Sequence, residues 1–237
     1  RFIMDRYATY SGSDPRKAPA VLSTIAFVEE SFGAWHVKGG LGNLTTTVHQ
    51  RAVDVGVTFH LNSPVASIQT TGNKASGVVL ADGTIATADA VIANADASLV
   101  YNKLITGHKR ALKKARKNIA NADVSVAGFS LLLGMRKDPE QVLNHHTILF
   151  PENYDAEFDA IFKDGKPVEK PTIYICAPQD ELMSKDENLE GWFVLVNAPT
   201  HGQFDWNNAE FSTKYANSII DQIEARGISV RDRLESL

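Results

Sequence analysis

Trp35 to Asp96, WHVKGGLGNLTTTVHQRAVDVGVTFHLNSPVASIQTTGNKASGVVLADGTIATADAVIANAD, is the stretch whose reading decides the fold. A short strand, Trp35 to Lys38, is expected to meet a glycine turn at Gly39, Gly40 and Gly42. Leu44, Val48, Ala52 and Val55 then recur at helical spacing until Gly56, where a C-cap is expected. Val57, Phe59 and Leu61 alternate with polar residues as in a half-buried strand, and Asn62-Ser63-Pro64 breaks it. Val65 opens the first of three strands joined by Thr71-Gly72-Asn73 and Asp82-Gly83, turn residues that tolerate positive φ, so a three-stranded meander is expected. Ala90 to Ala93 is short and almost wholly apolar, the pattern of a parallel strand buried on both faces, and it ends in Asn94 and Asp96. Ligands of open α/β sheets gather at such strand ends.

Outside this stretch a second layer is expected. Ala20 to Ser31 carries a broad apolar side, and Val124 to Met135 reads as a long strand whose apolar phase switches near Gly128, which predicts a bulge there. His146 to Phe150, Thr172 to Ala177 and Trp192 to Val196 supply three more strands, with helices near Tyr154 to Phe162 and Asn208 to Arg226. The pattern predicts an antiparallel sheet backed by helices.

Several apparent motifs fail on inspection. Gly40-Leu41-Gly42-Asn43-Leu44-Thr45 lacks its third glycine, and no acidic residue follows about twenty positions on, so it is no primary pyrophosphate loop. Gly128-Phe129-Ser130-Leu131-Leu132 lacks the last glycine of a nucleophile elbow. His145 and His146, as strand neighbours, are expected to point to opposite faces and to share no ion; no metal is expected. The remaining histidines (His36, His49, His60, His108 and His201) show no ligand spacing.

At 237 residues, with 43% hydrophobic and 22% charged residues, the chain can bury a sizeable core. A net charge of -4 provides no global field for nucleic acid. The single cysteine, Cys176, cannot pair internally and reads as an inert core thiol in a reducing, cytoplasmic compartment. No apolar run approaches the roughly 18 residues of a membrane span. The basic segment of Lys109, Arg110, Lys113, Lys114, Arg116 and Lys117 has two readings: a solvated face, or peripheral contact with anionic lipids at the inner face of the cell membrane.

The sequence resembles bacterial-type phytoene desaturases, carotenoid-forming flavoenzymes within a wider family that includes amine oxidases and protoporphyrinogen oxidase. The likeness runs through Tyr10-Ser11-Gly12-Ser13, Lys17-Ala18-Pro19, Val28-Glu29, Phe32-Gly33, Lys38-Gly39-Gly40, Leu61-Asn62, Ala81-Asp82-Gly83 and Asn94-Ala95-Asp96. It continues in Gly128-Phe129, His145-His146, Pro171-Thr172-Ile173-Tyr174, Cys176-Ala177-Pro178 and Ala198-Pro199. His36 and Val37 stand where that family usually carries an aromatic and a proline. The resemblance implies a mixed α/β chain: part of an FAD-binding Rossmann-like fold with an inserted three-stranded meander, plus a substrate domain. Residues 1–34 would be substrate-domain helices, 35–106 a partial FAD-binding domain and 107–237 the substrate-binding domain. The chain would be an internal piece of a longer enzyme, with the main FAD anchors outside it.

The same resemblance implies a desaturase that moves hydride equivalents from a long apolar isoprenoid of C30 or C40 to FAD. Other outcomes of the resemblance are a carotenoid isomerase, a retinol saturase-like enzyme or an amine oxidase, and a noncatalytic isoprenoid carrier stands apart from these. It assigns cofactor contacts to the Val65 backbone, to Asn94, Ala95 and Asp96, and to Lys38 with Gly39 and Gly40. Tunnel walls would come from Phe27, Phe32, Trp35, Phe129, Leu131, Leu133 and Trp192. A hydrocarbon substrate has no acidic proton, so no catalytic acid or base is expected.

Overall fold

The computed structural model describes residues 1–72, 74–106, 109–122, 124–201 and 204–236, the side chains of Lys109 and Ala111 excepted. The turn expectation at Asn73 and the histidine His108 lie outside the described residues. Helices α1 (Phe2–Arg6), α2 (Ser23–Phe32) and α3 (Leu41–Asp54) come first. The meander β1 (Val65–Thr71), β2 (Lys74–Leu80) and β3 (Ile85–Thr87) follows, then α4 (Ala97–Leu99) and α5 (Lys109–Ala120). Strand β4 (Ala127–Arg136), β5 (His146–Leu149), α6 (Asp155–Asp159), β6 (Ile173–Cys176), β7 (Leu189–Ala198), α7 (Ala209–Glu224) and β8 (Leu234–Ser236) complete the chain. Compactness sorts it into two units, residues 1–50 with 124–237 and residues 51–123.

The larger unit is organised by one antiparallel sheet of order β5-β6-β7-β4-β8. Asn208 caps α7 by accepting from the Phe211 amide at 3.1 Å. The helix then turns Tyr215, Ala216, Ile219, Ile220 and Ile223 to one side, a stripe at i, i+1, i+4, i+5 and i+8 that is fully dry. Against it pack Leu131, Leu133 and Met135 of β4, Trp192, Val194 and Val196 of β7, and Ile173 and Ile175 of β6. Side chains alternate along a strand, so the intervening residues necessarily occupy the other face. Leu132, Phe193, Leu195, Tyr174, Ile148 and His146 therefore form a second, open surface.

This parity separates the residues expected to wall a tunnel. Leu131, Leu133 and Trp192 belong to the dry core under α7, and Phe129 packs on Trp206 and Tyr215, with ring centroids at 5.5 and 5.1 Å. Phe27, Phe32 and Trp35 are largely exposed, Trp35 at 87%. The seven are not brought together. The bulge expected at Gly128 is also absent: β4 pairs with β7 in unbroken register from Ala127↔Ala198 to Arg136↔Leu189. Val124 and Val126 precede the strand, which removes the apparent phase switch. At Gly128 a Cβ would sit 2.8 Å from Leu195 Cδ1, a contact that rotation of the leucine side chain can relieve.

Strand β8 is held by Arg233, which sequence reading did not single out. Its guanidinium donates to Glu190 Oε1 at 2.8 Å and, through Nε, to the Arg136 carbonyl at 2.8 Å, and lies 5.2 Å from the Trp192 ring. The buried charge is thus paired, bonded and stacked.

The smaller unit holds the expected meander. Gly83 (φ +89) makes the β2–β3 turn, with Asp82 Oδ1 accepting from the Thr84 amide at 2.9 Å. Gly77 (φ +150) admits the β3 backbone so closely that a Cβ would meet the Ala86 carbonyl oxygen at 2.2 Å. The strands expected at Trp35–Lys38, Val57–Leu61 and Ala90–Ala93 are not formed among the described residues. A strand exists only where its amides find a ladder, and no described segment pairs with these three. Ile92 is accordingly 94% exposed.

Truncating Ile219 to Ala in the core should cost roughly 2–5 kcal/mol in urea unfolding, whereas Leu132→Ala on the open face should cost less than about 0.5. Equal losses would contradict the assigned faces.

Candidate functional site

The open face of the sheet floors a cavity of about 480 Å³ in the larger unit. Ile148, Tyr174, Leu195 and Asn197 rise from β5, β6 and β7, and Ile3, Arg6, Tyr7 and Tyr10 cover them from the first ten residues. Tyr7 and Tyr10 stack at 5.9 Å and both donate to Glu29 of α2, at 2.7 and 3.2 Å. The Glu29 hydrogen bond and burial push the Tyr7 hydroxyl up to about 12, so it stays protonated and donating. Tyr7 and Tyr10 lie one helical turn apart, a spacing visible in the sequence, but their common partner Glu29 is not.

Beside the floor lies a buried carboxylate. Glu157 accepts from the Thr172 amide at 2.6 Å and from Asn197 Nδ2 at 2.8 Å. Burial raises its pKa, while Thr172, Asn197 and the Arg6 charge pull it back. Asn197 thereby fixes the cavity floor to α6.

At the outer edge His146 Nδ1 lies 2.7 Å from the Tyr174 hydroxyl. His145 precedes β5 and is not bound by the alternation within it. The His145 and His146 rings stand 4.5 Å apart, contrary to the expectation that they face opposite sides. Their ligand atoms and Cys176 Sγ lie within 4.8 Å of one another. Cys176 sits opposite His146 in the β5–β6 register and is half-buried, not deep in the core. Burial, then the neighbouring His146 and His36, hold His145 below the usual imidazole value.

The expected cofactor residues are distributed over both units, and each is described within its own. In the smaller unit Val65 opens β1, an edge strand of the meander, and is 39% exposed. The ladder steps from Val65↔Leu80 to Ser67↔Val79, an irregularity at the start of β1. Asn94 and Ala95 are exposed, while Asp96 caps α4 by accepting from the Ser98 amide at 2.8 Å. In the larger unit the Lys38-Gly39-Gly40 turn packs on its own chain: a Cβ on Gly39 would lie 2.3 Å from Asn43 Nδ2, and one on Gly40 would lie 3.3 Å from Met183 Cε. Asp180 Oδ2 accepts from the Gly39 amide at 2.5 Å and contacts His36 Nε2 at 2.8 Å. So His36 has a structural partner that the sequence left undetected.

The cavity brings aliphatic and phenolic side chains together with the polar groups of Arg6, Glu29, His146 and Asn197. Residues 5–158 match the family model of the flavin containing amine oxidoreductases. The chain belongs to that family, and membership implies FAD as its cofactor. It is 33% identical over 217 residues to a 1-hydroxycarotenoid 3,4-desaturase of Flavobacterium sp. (strain P99-3), covering 90% of this chain and 42% of that protein. It is 34% identical over 208 residues to a zeta-carotene-forming phytoene desaturase of Myxococcus xanthus, covering 87% and 39%. A lycopene-forming phytoene desaturase of Paracoccus sp. (strain N81106 / MBIC 01143) is 32% identical over 217 residues, covering 91% and 43%. The chain thus spans about two-fifths of the length of these relatives.

Hydrogen bonds from His36, Gly39 and Leu182 hold the Asp180 carboxyl down to about 2. A depressed carboxyl stabilises above its ordinary value of 3.8 and loses that contribution as pH falls from there towards 2. The protection of the Gly39 and Leu182 amides, relative to their intrinsic exchange, should therefore fall over that interval. In Asp180→Ala their exchange should be about tenfold faster at neutral pH. Unchanged protection would remove Asp180 as the anchor of the turn.

Proposed function

We propose that this chain is the substrate-facing part of an FAD-dependent desaturase that introduces conjugated double bonds into a C30 or C40 isoprenoid. The observation that carries the reading is the cavity on the open sheet face, where Ile3, Ile148 and Leu195 meet the phenol rings of Tyr7, Tyr10 and Tyr174. Such a wall suits a hydrocarbon, which offers no polar handle. The desaturase names of the relatives support the same substrate class. Bound FAD supplies the chemistry by accepting the hydride equivalents that leave the polyene precursor.

The chain's own residues orient and enclose. Tyr7 and Tyr10, locked on Glu29, hold one wall against the floor that Asn197 and Glu157 anchor to α6, so the substrate meets a preformed slot that sheds water. The phenols remain neutral throughout the physiological range and stabilise no ionic intermediate. On the cofactor side, the Val65 backbone would meet the adenine, with Asn94, Ala95 and Asp96 as further contacts and Lys38, Gly39 and Gly40 as a supporting turn. The exposed apolar segments around Phe59 and Ile92 support a cofactor-domain sheet to which this chain contributes a part. No described helix is long and apolar enough to cross a membrane. Helix α5 buries Leu112 and leaves Arg110, Lys113, Lys114 and Lys117 exposed, which supports peripheral contact with anionic lipid on the cytoplasmic side.

Co-expression of the full-length protein with a phytoene-forming pathway should yield coloured polyenes, and their complete absence would sink the assignment. Leu195→Glu should cut that product tenfold or more with flavin content retained, because a charge in the slot opposes a hydrocarbon. For the lipid contact, Lys113→Glu with Lys114→Glu should weaken sedimentation with anionic vesicles several-fold. Binding equal to wild type would remove it.

A further inference from the structure

The geometry points to a zinc-type cation site built from His145, His146 and Cys176 at the edge of the cavity. Sheet register creates it. His146 and Cys176 are directly opposed on β5 and β6, so their side chains leave the same face side by side. His145 is brought to the same place because it stands just outside β5, where its carbonyl accepts from the Ala177 amide at 2.9 Å. The three ligand atoms lie within 4.8 Å of one another. Around a tetrahedral ion with bonds of about 2.0–2.3 Å, donors stand roughly 3.3–3.8 Å apart, so closure needs about 1 Å of side-chain rotation. His146 is exposed, so solvent leaves room for its ring to shift towards the other two donors.

The surroundings select the donor atoms. Tyr174 occupies Nδ1 of His146 at 2.7 Å, which leaves Nε2 for an ion and sets the ring's orientation. The His36 ring lies edge-on to His145 at 4.8 Å and is itself held by Asp180 at 2.8 Å, an outer pair that braces the cluster. Two imidazoles and a thiolate form a borderline-soft set that favours zinc over magnesium or calcium. With three protein donors a fourth tetrahedral position stays open to water. Because His146 also lines the cavity, an ion there would stand in its wall. Binding releases the thiol proton to solvent and involves no redox step.

The test uses the full-length protein without a polyhistidine tag, stripped with chelator, mixed with one equivalent of zinc sulfate and desalted. Close to one zinc per chain should remain by mass spectrometry. Cys176→Ser and His146→Ala should each weaken zinc binding tenfold or more, with flavin content and melting temperature in chelator unchanged. In a cobalt-loaded difference spectrum, a thiolate-to-metal charge-transfer band should appear and vanish in Cys176→Ser. No zinc retained by the wild type, or equal retention by the Cys176→Ser, His146→Ala double variant, would overturn the site. The desaturation assay does not enter these measurements, so failure of the site and failure of the proposed activity are separately visible.

Discussion

The dry stripe of α7 on one face of the five-stranded sheet is the contact on which the rest of the larger unit depends. Ile219 and Ile223 are fully buried there, as are Met135, Ile175 and Val196 beneath them. Strand alternation has a period of two, so giving one face to α7 necessarily assigns the other to the cavity. A slip of β4 by one residue against β7 would put Leu132 under α7 beside Trp192 and lift Leu133 to the opposite side. The unbroken ten-pair register between those strands is therefore a condition for the cavity as much as for the core.

The apolar slot could not be held by apolar contacts alone. Its floor ends at Asn197, whose amide must find an acceptor once removed from water, and Glu157 provides it from α6. That acceptor is itself a carboxylate taken out of water. Its cost is offset by the Thr172 amide and by the Arg6 charge, both on segments that border the same cavity. The same buried group thus links α1, α6, β7 and the residue that leads into β6, and a polar thread beside the slot helps to position its aliphatic wall.

Much of the architecture was legible from local signals. Asp82-Gly83 between alternating runs specifies a hairpin by backbone chemistry alone, and the strands at His146, Ile173 and Trp192 are short, apolar and bounded by turn residues. What was not legible depends on partners. Phe129, Leu131, Leu132 and Leu133 are all apolar, so periodicity within β4 could not say which parity would meet a helix eighty residues later. Val57–Leu61 and Ala90–Ala93 have strand composition, yet a strand is a property of a pair, and no described segment supplies the second member. The tyrosine pair at the cavity was legible as a spacing, while Glu29 reaches it only through tertiary structure.

The histidine pair shows the same limit from the other side. Alternation correctly predicts that two neighbours within a strand diverge, and the rule fails at His145 because β5 begins one residue later. One residue of strand length decides whether His145 shares a face with His146 and Cys176 or is turned away from them. Strand ends are where backbone constraints relax while cross-strand neighbours are still near. A sheet edge can for that reason gather side chains that its own periodicity would separate, and in this chain it does so beside the surface that the core leaves open.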